Sequence, residues 1–475
     1  MGILLRNLGY LLVISSFFRF VPIIAGLIYE ENIQGFLFTF GLSLVLGVVL
    51  VLFSRPKESA KSMTLTQGLI LGALAFILLP AISMITYLPS MDYNYLNAYF
   101  EAISGFTTTG ITIYSSLEEL PKSLLLWRAE TQWMGGIGII IIFLFLFSGR
   151  RKGQQKMADL EEASEASMAL YQAQGFRQKL EGGLRNTLAI VMAIYVGYTL
   201  LGILLLWATG MPLYDSIAMS FTALSTGGFS VHDEFYSNGW QLLVLSVIMI
   251  LGSISFIVHN KILEAKWKEF VLSFEKNVFF VIIAIAGLLA MTVATDVPIA
   301  FFELISAFTT TGYGVSNFAL LPPLLIFVLM LGMIMGGSSA STSGGIKTFR
   351  IYYLMRGIGW QLKKLSNPPS AVIPLKIHGQ ETDEKDLSNI AIFVISYFLV
   401  LLIGITLFLV FGFGFFDASF QMISALGTVG LQSVEVGLIH PFLKIVLIIA
   451  MLFGRLEIFP ILILLRQAFK KINEV

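Results

Sequence analysis

The chain has 475 residues, of which 56% are hydrophobic and only 12% are charged, and its mean hydropathy of +0.84 lies far above that of soluble domains. This composition excludes a soluble globular protein, and the lack of cysteine excludes disulfides, thiolate metal sites and thiol catalysis. The net charge of +1 is uninformative, whereas the distribution of the charges along the chain is informative, and we expect no nucleic-acid partner.

Hydrophobic runs occur along the whole chain. The first two, at 3–29 and 35–53, predict an N-terminal transmembrane hairpin, and the first run contains Arg19 and lacks the small-residue cleavage site of a removable signal peptide. Further runs at 124–147, 187–207, 241–258, 278–291 and 390–413 approach or reach the ~20 residues that cross a bilayer. We therefore predict an all-α, multi-pass membrane protein.

The basic residues predict the orientation. Twenty-five of the 30 Lys and Arg residues are Arg6 or lie in five segments, 55–61, 150–185, 261–276, 347–385 and 466–471. By the positive-inside rule these segments and both termini are cytoplasmic, and we expect the protein in the cytoplasmic (inner) membrane of a bacterium. The stretches 151–185, 263–276 and 365–386 are then cytoplasmic linkers, which are too short to form separate domains.

Four short segments align without gaps. They are 106–111, 224–229, 308–313 and 426–431, here called the signature segments, and all four have Thr in the third position and Gly in the fifth. The intervals between successive fifth-position glycines are 118, 84 and 118 residues, which suggests that an ancestral pair was itself duplicated. The predicted domains are the hairpin 1–62 and four repeats, 63–150, 186–262, 277–364 and 387–475.

Each signature segment follows an apolar stretch that is too short to cross a membrane, at 95–106, 213–224, 300–308 and 416–426. Such a stretch predicts a re-entrant half-helix followed by irregular backbone. Irregular backbone persists at membrane depth only inside protein or beside a water-filled cavity. We predict about ten spanning helices and four re-entrant half-helices, arranged as four tandem helix, pore-loop, helix repeats around one pore.

The signature segments have the chemistry of a cation filter. A Thr-x-Gly strand offers backbone carbonyls and a hydroxyl to a dehydrated cation, and glycine permits the dihedrals that aim the carbonyls inward. The alternative, that Thr and Gly only allow close helix packing, does not explain four aligned copies. The candidate cation-binding residues are Thr107, Thr108, Thr109, Gly110, Ser225, Thr226, Gly227, Gly228, Thr309, Thr310, Thr311, Gly312, Gly427, Thr428, Val429 and Gly430.

These segments, with 336–347 and the Gly-Arg-Leu-Glu sequence at 454–457, resemble the Trk/Ktr/HKT superfamily of potassium transporters, most closely its TrkH branch. The resemblance implies potassium as the substrate, selected over sodium where every segment has its glycine, and no intrinsic cofactor. It also implies a homodimer that docks an RCK-type cytoplasmic ring, TrkA in the Trk branch, which carries the nucleotide site. Gly427 and Val429 lack hydroxyls and look more like Ktr proteins, so sodium-coupled symport stays open.

The third repeat has an unusual second helix. Since proline suits a first helical turn, we predict this helix from Pro323 to Met335, which rises about 20 Å and falls short of a ~30 Å membrane core. The ten residues that follow have no large side chain. We interpret 336–346 as an intramembrane gating loop, the alternative being a packing seam in a continuous helix. The candidate gate residues are Gly336, Gly337, Ser338, Ser339, Ala340, Ser341, Thr342, Ser343, Gly344, Gly345 and Lys347.

Arg455 lies in an apolar stretch 25 residues after Gly430, and an intramembrane arginine is functional by default because its burial is costly. By the resemblance it points into the cavity beneath the filter, where its charge about 8 Å from a passing cation would repel that cation by ~2 kcal/mol at an effective dielectric of 20. The alternative is a structural ion pair with an acid elsewhere in the chain.

The other charged residues in or near the hydrophobic runs are predicted to have structural or electrostatic roles. We expect Arg128 and Lys444 to extend from helix ends towards water, whereas Arg19 has no predicted role. The pore-helix acids either attract cations or hydrogen-bond their own loops; they are Glu101, Asp215, Glu303 and Asp417. The four histidines have no metal-ligand spacing.

Two other function classes have weaker support in the sequence. A secondary transporter of a small solute also has broken helices and internal repeats, but it predicts repeats of opposite topology, whereas all four half-helices here are predicted to enter from one side. An intramembrane enzyme is disfavoured because the chain has no Gly-x-Ser-x-Gly or His-Glu-x-x-His pattern and no cysteine nucleophile.

Overall fold

The computed structural model describes residues 2–54, 65–138, 184–316, 318–368, 371, 373–377, 380–458, 460–464 and 466, and these residues are mostly helical. The basic segment 55–61, most of the predicted linker 151–185 and the end of the chain from 467 lie outside the described residues.

The N-terminal hairpin is formed by α1 (Gly2–Phe18), α2 (Phe20–Ile28) and α3 (Gln34–Phe53). Glycines let its helices approach closely, because a Cβ on Gly9 would lie 2.7 Å from the carbonyl oxygen of Gly47, and a Cβ on Gly47 would lie 2.8 Å from that of Gly9. Glu31 joins the hairpin to the first repeat, since its two carboxylate oxygens accept hydrogen bonds from the backbone N–H groups of Lys122 and Ser123.

The remaining helices follow a recurring order: a long helix, a twelve-residue helix, and then a further helix that is called the second helix of the repeat. The first repeat contains α4 (Leu65–Tyr87), α5 (Tyr95–Phe106) and α6 (Lys122–Trp133), and the second contains α7 (Leu184–Ala208), α8 (Leu213–Leu224), α9 (Gly239–Ser253) and α10 (Phe256–Leu263). The short α11 (Trp267–Val271) leads to α12 (Phe274–Met291), α13 (Val297–Phe308), α14 (Pro323–Met335) and α15 (Thr348–Leu365). The last group is α16 (Glu384–Val410), α17 (Phe415–Leu426) and α18 (Pro441–Leu456).

Six helices among the described residues are long and apolar enough to cross a membrane when α1 and α2 are counted as one, or seven if α9 and α10, bent by 103°, also form one span. The second helices α6, α14 and α18 are shorter. The helix α14 has the predicted bounds, and it ends because Gly336 adopts φ 67°.

Helices are present at the four positions where half-helices are predicted, as α5, α8, α13 and α17. Two have the predicted bounds, while α13 begins three residues earlier and α17 one residue earlier. In α13 the earlier start is stabilised by Asp296, whose side chain accepts a hydrogen bond from the Ile299 N–H.

One small element departs from an all-α fold. The strands β1 (Lys376–Ile377) and β2 (Gln380–Glu381) pair as an antiparallel hairpin. Ile377 is buried there with Leu375, Tyr353 and Ile390, so this hairpin packs against α15 and the start of α16.

Candidate ion pathway

The four signature segments share one backbone conformation. Each follows a twelve-residue helix, and each third-position threonine is left-handed, with φ of 54° at Thr108, 51° at Thr226, 58° at Thr310 and 49° at Thr428. The next residue donates its N–H to the carbonyl five residues back, as from Thr109 to Ser104 at 3.0 Å and from Val429 to Ser424 at 2.9 Å. This C-cap bond holds threonine in a conformation that costs it about 1–2 kcal/mol.

The fifth-position glycines close the four segments into a ring. Gly110, Gly228, Gly312 and Gly430 have φ of 86°, 76°, 89° and 109°. A Cβ on each would collide with the fourth-position carbonyl oxygen of a neighbouring segment, namely Gly227 for Gly110, Thr311 for Gly228, Val429 for Gly312 and Thr109 for Gly430. The contacts run from the first segment through to the fourth and back to the first, so the predicted cation-binding residues are brought together.

The segments differ in the side chains that hold them. In the first and third, the second-position and fourth-position threonines share a hydroxyl hydrogen bond of 2.8 Å, Thr107 with Thr109 and Thr309 with Thr311. The second and fourth segments lack this pair because position four is Gly227 or Val429. In the fourth, the Ser424 hydroxyl accepts from the Gly430 N–H at 3.0 Å.

The third-position hydroxyls are buried beneath the ring. Thr108 Oγ1 and Thr428 Oγ1 have no hydrogen-bond partner among the described residues, whereas Thr310 Oγ1 accepts from the Gly344 N–H at 2.6 Å. Two buried hydroxyl oxygens are therefore free to accept a cation or water.

Pore-helix acids hold the loops that follow the ring. Glu101 accepts from the Ile113 N–H at 2.9 Å and from the Thr112 hydroxyl, and Glu303 accepts from the Ser316 N–H at 2.7 Å. Asp215 contacts its own loop through His232 and Tyr236, both at 3.0 Å. Asp417 makes no such bond within the described part of the chain. Bracing of the loop is thus observed for three of the four acids.

The expectation that Arg128 and Lys444 reach water is wrong. Arg128 is 1% exposed and forms a 2.9 Å ion pair with the fully buried Glu101. Lys444 is 5% exposed, and its ammonium donates to Asn97 Oδ1 at 2.9 Å and to the Gly437 carbonyl at 2.7 Å. Both cations bind polar groups of the loop side of the ring instead of water.

Arg19, which had no predicted role, is also buried. It donates to the Thr39 hydroxyl at 3.1 Å and to the Ser15 carbonyl at 3.0 Å, and its guanidinium lies 5.0 Å from the Trp127 ring centroid. It therefore joins the N-terminal hairpin to the second helix of the first repeat.

The histidines take local structural roles. His259 hydrogen-bonds the Tyr198 hydroxyl and the Leu251 carbonyl, and His440 caps α18 by accepting from the Phe442 N–H. His378 lies outside the described residues, and no cluster of three or more potential metal ligands occurs in the described part.

The loop 336–345 leaves the line of α14 and returns to it. Its returning end is hydrogen-bonded to its starting end, from the Ile346 N–H to the Ile334 carbonyl at 2.9 Å and from the Thr348 N–H to the Gly337 carbonyl at 3.0 Å. Gly345 adopts φ 71°, and Lys347 donates to the Ser343 carbonyl. The ten residues thus form a loop whose two ends are hydrogen-bonded to each other beside the end of α14.

This loop crosses beneath the ring. Thr342 donates its hydroxyl to the Leu224 carbonyl at the end of α8, and the Gly345 N–H donates to the Gly427 carbonyl at 3.1 Å. The Gly344 bond to Thr310 adds the third segment. At the other end of the loop, the Glu275 carboxylate of α12 accepts a hydrogen bond from the Ser339 N–H at 2.5 Å. The loop therefore contacts the ends of three of the four twelve-residue helices that precede the signature segments, namely α8, α13 and α17.

Arg455 completes the layer beneath the ring. Its guanidinium donates to the Thr342 carbonyl of the loop at 2.8 Å and to the Gly135 carbonyl at 2.6 Å, and it also contacts the Gly136 carbonyl. The glycine carbonyls lie in a π-helical turn, Met134–Gly138, that follows α6. None of the ion pairs in the described part of the chain includes Arg455, so a buried pair with an acid is not its arrangement.

Two kinds of residue at this site were missed from sequence. Gln132 of α6 hydrogen-bonds the backbone of the second signature segment. Glycines also lie where second helices cross the pore-helix ends, since a Cβ on Gly135, Gly252 or Gly454 would collide with the carbonyl oxygen of Phe106, Leu224 or Leu426. Each of these glycines follows a fifth-position glycine by 24 or 25 residues, a spacing that could have identified them.

Comparison with known proteins agrees with this geometry. The family model TrkH, described as a cation transport protein, matches residues 32–280 and 268–472. An uncharacterized cation transporter of Methanocaldococcus jannaschii is 28% identical over 98% of this chain and 96% of its own length, and a Trk system potassium uptake protein of Salmonella typhimurium is 27% identical over 98% of both. The crystal structure of the potassium transporter TrkH from Vibrio parahaemolyticus superposes with a TM-score of 0.83 at 26% identity, covering 97% of this chain and 98% of that one.

Proposed function

The chain belongs to the TrkH family of cation transport proteins, and from that premise we propose that it carries potassium ions through the ring of signature segments. The family consists of membrane transport proteins rather than enzymes. The observation that carries the proposal is the closed ring itself, in which four left-handed threonines and four positive-φ glycines repeat one conformation.

The chemistry of the ring fits a dehydrated alkali cation. Backbone carbonyls supplied once by each repeat replace the water shell of the ion, and their number and field favour one ion size over another. The carboxyl ends of α5, α8, α13 and α17 meet at the ring, so their carbonyl dipoles add partial negative charge where a cation would rest. Buried oxygens of Thr108 and Thr428 provide further ligands.

The layer beneath the ring is proposed as the gate. The loop contacts the ends of three pore helices, and Arg455 holds that loop to the first repeat, so movement of the loop would open the path below the ring. The positive charge of Arg455 at this level would also repel a passing cation. Lys347 anchors the returning end of the loop.

Orientation and assembly follow from charge and from the family. We propose that the ring opens to the outside, that the basic linkers and both termini face the cytoplasm of a bacterium, and that the domain division into hairpin and four repeats is the functional one. We further propose a homodimer that docks an RCK-type, TrkA-like ring at the basic face, with the nucleotide bound by that ring. A relative from Salmonella typhimurium is named as a potassium uptake protein of the Trk system, which is consistent with a multi-component assembly.

Ion uptake into proteoliposomes tests the proposal. Rubidium, as a potassium analogue, should enter vesicles that contain the purified chain, unlabelled potassium should compete with it, and sodium at the same concentration should compete poorly. Equal competition by sodium would overturn the potassium filter. Uptake of a labelled amino acid in place of rubidium would instead favour a secondary transporter, and a sodium gradient that accelerates rubidium uptake would indicate symport.

A further inference from the structure

The geometry points to Gln132 as a positioning residue of the filter, which sets the orientation of the second signature segment from outside the ring. This inference rests on the proposed function, because it assigns a selectivity role to a residue of α6 in a different repeat.

Gln132 binds the backbone on both sides of Gly228. Its Nε2 donates to the Gly227 carbonyl at 2.6 Å, and its Oε1 accepts from the Phe229 N–H at 3.0 Å. The side chain is fully buried, so water does not compete for either bond. One planar amide therefore fixes the peptide groups before and after a glycine whose φ is 76°.

Gln132 also occupies the space that a side chain at position 227 would need. A Cβ on Gly227 would collide with the Gln132 Cδ and would lie 2.5 Å from its Oε1 and 2.9 Å from its Cβ. The φ of Gly227 is not in the left-handed region, so its backbone does not require glycine. The glutamine explains why this segment has glycine where the first and third segments have threonine.

The comparison among segments shows what Gln132 replaces. Thr109 and Thr311 fill the fourth position of the first and third segments, and each hydroxyl binds the threonine two residues earlier. The second segment has no fourth-position hydroxyl, and the Gln132 amide supplies the missing restraint from another repeat. The restraint bears on selectivity, since the Gly227 carbonyl that it holds faces Gly110 in the ring.

A compensation experiment tests the inference, with the rubidium-to-sodium uptake ratio as its measure because that ratio is independent of the amount of folded protein. Gln132→Met keeps the volume and removes both hydrogen bonds, so the ratio should fall about tenfold, the equivalent of one well-placed buried hydrogen bond. Gly227→Thr alone should lower the ratio too, because the new side chain collides with Gln132.

The double variant Gln132→Ala with Gly227→Thr should recover the ratio to within about threefold of the unmodified chain, since the introduced threonine can bond the Ser225 hydroxyl as the threonine pairs do in the first and third segments. The matched control is Thr131→Val, which changes a buried hydroxyl on the same helix that donates to the Arg128 carbonyl, and its ratio should not change.

The outcomes separate this inference from the proposed function. If the unmodified chain does not prefer rubidium to sodium, the proposed filter is wrong. If the unmodified chain is selective and Gln132→Met keeps the full ratio, or if the double variant is no better than Gln132→Ala alone, the positioning role of Gln132 is wrong.

Discussion

The ring of signature segments and the layer beneath it are built on opposite principles. The ring uses one conformation four times, so each quarter has the same left-handed threonine and the same positive-φ glycine. The layer beneath uses parts that occur once, the loop 336–345 and Arg455, and these parts reach into every repeat. The difference teaches that equal contributions from the four repeats come from one repeated conformation, whereas a layer that joins all four repeats is built from one irregular segment and one arginine.

Within the ring the four segments have the same backbone conformation but different side-chain contacts. The first and third segments are held by threonine pairs, the second by Gln132 and the fourth by Ser424. The loops behind the segments differ similarly, because Glu101 has Arg128 as a counter-ion while Glu303 is bound by backbone N–H groups. Substitutions can therefore separate the effect of the shared backbone conformation on transport from the effect of the side-chain contacts of each segment.

The largest effect is expected where a buried charge loses its partner. Arg128→Met leaves the Glu101 carboxylate buried without a cation, which should lower the free energy of unfolding by about 3–5 kcal/mol. A large fall in the melting temperature of the purified protein in detergent would show this. The double variant Arg128→Met with Glu101→Gln should restore most of the loss, and a single variant as stable as the unmodified chain would contradict it.

Next in size is a change to the ring backbone. Gly312→Ala places a Cβ against the Val429 carbonyl at φ 89°, so rubidium uptake by folded protein should fall about a hundredfold. Gly41→Ala is the control, because nothing lies within 4 Å of a Cβ there. If Gly312→Ala transports normally, the ring does not need its glycine and the contrast with the lower layer fails.

Removal of residues 337–343 tests the lower layer. A Cβ on Gly336 would lie 2.1 Å from the Gly344 carbonyl oxygen, so the two residues that flank the deletion are already close enough to be joined. Rubidium flux should rise about thirtyfold, as for loss of a ~2 kcal/mol barrier. The rubidium-to-sodium ratio should stay that of the unmodified chain, since the ring is intact. Unchanged flux in a folded variant would end the interpretation of this loop as a gate.

The smallest effect is expected from the charge of Arg455 alone. Arg455→Gln keeps a side chain that can donate to the Thr342 and Gly135 carbonyls but removes the charge. Because the guanidinium is bound to three backbone carbonyls that partly offset its charge, its repulsion of a cation is weaker than the ~2 kcal/mol of an isolated charge, and flux should rise about tenfold, less than on loop removal. Arg455→Lys, which keeps the charge, is the matched control and should stay near the original flux. If the lysine variant conducts like the glutamine variant, the hydrogen bonds of the Arg455 guanidinium limit the flux more than its charge does.

Much of this site could be predicted from local sequence. The half-helices are visible because a short apolar run ends at a Thr-x-Gly segment, and α14 is visible because prolines precede it and glycines follow it. The irregular backbone of 336–345 is likewise predictable from the segment itself, since all ten of its residues have small side chains. Such features depend only on neighbouring residues.

The rest depended on partners that are distant in the chain. Gln132 binds a carbonyl 95 residues away, and Arg455 binds carbonyls more than three hundred residues away, so no spacing rule relates them. Arg128 was placed wrongly because its position near a helix end predicts exposure, while its carboxylate partner lies on the preceding pore helix. The β1–β2 hairpin was missed because its strands have two residues each.

The closed cycle of glycine-to-carbonyl contacts has a consequence for how the four quarters can evolve. Each segment packs closely against the next, and the fourth packs against the first. A substitution in one segment must therefore suit the backbone of its neighbour, so these few positions of the four segments can change only together.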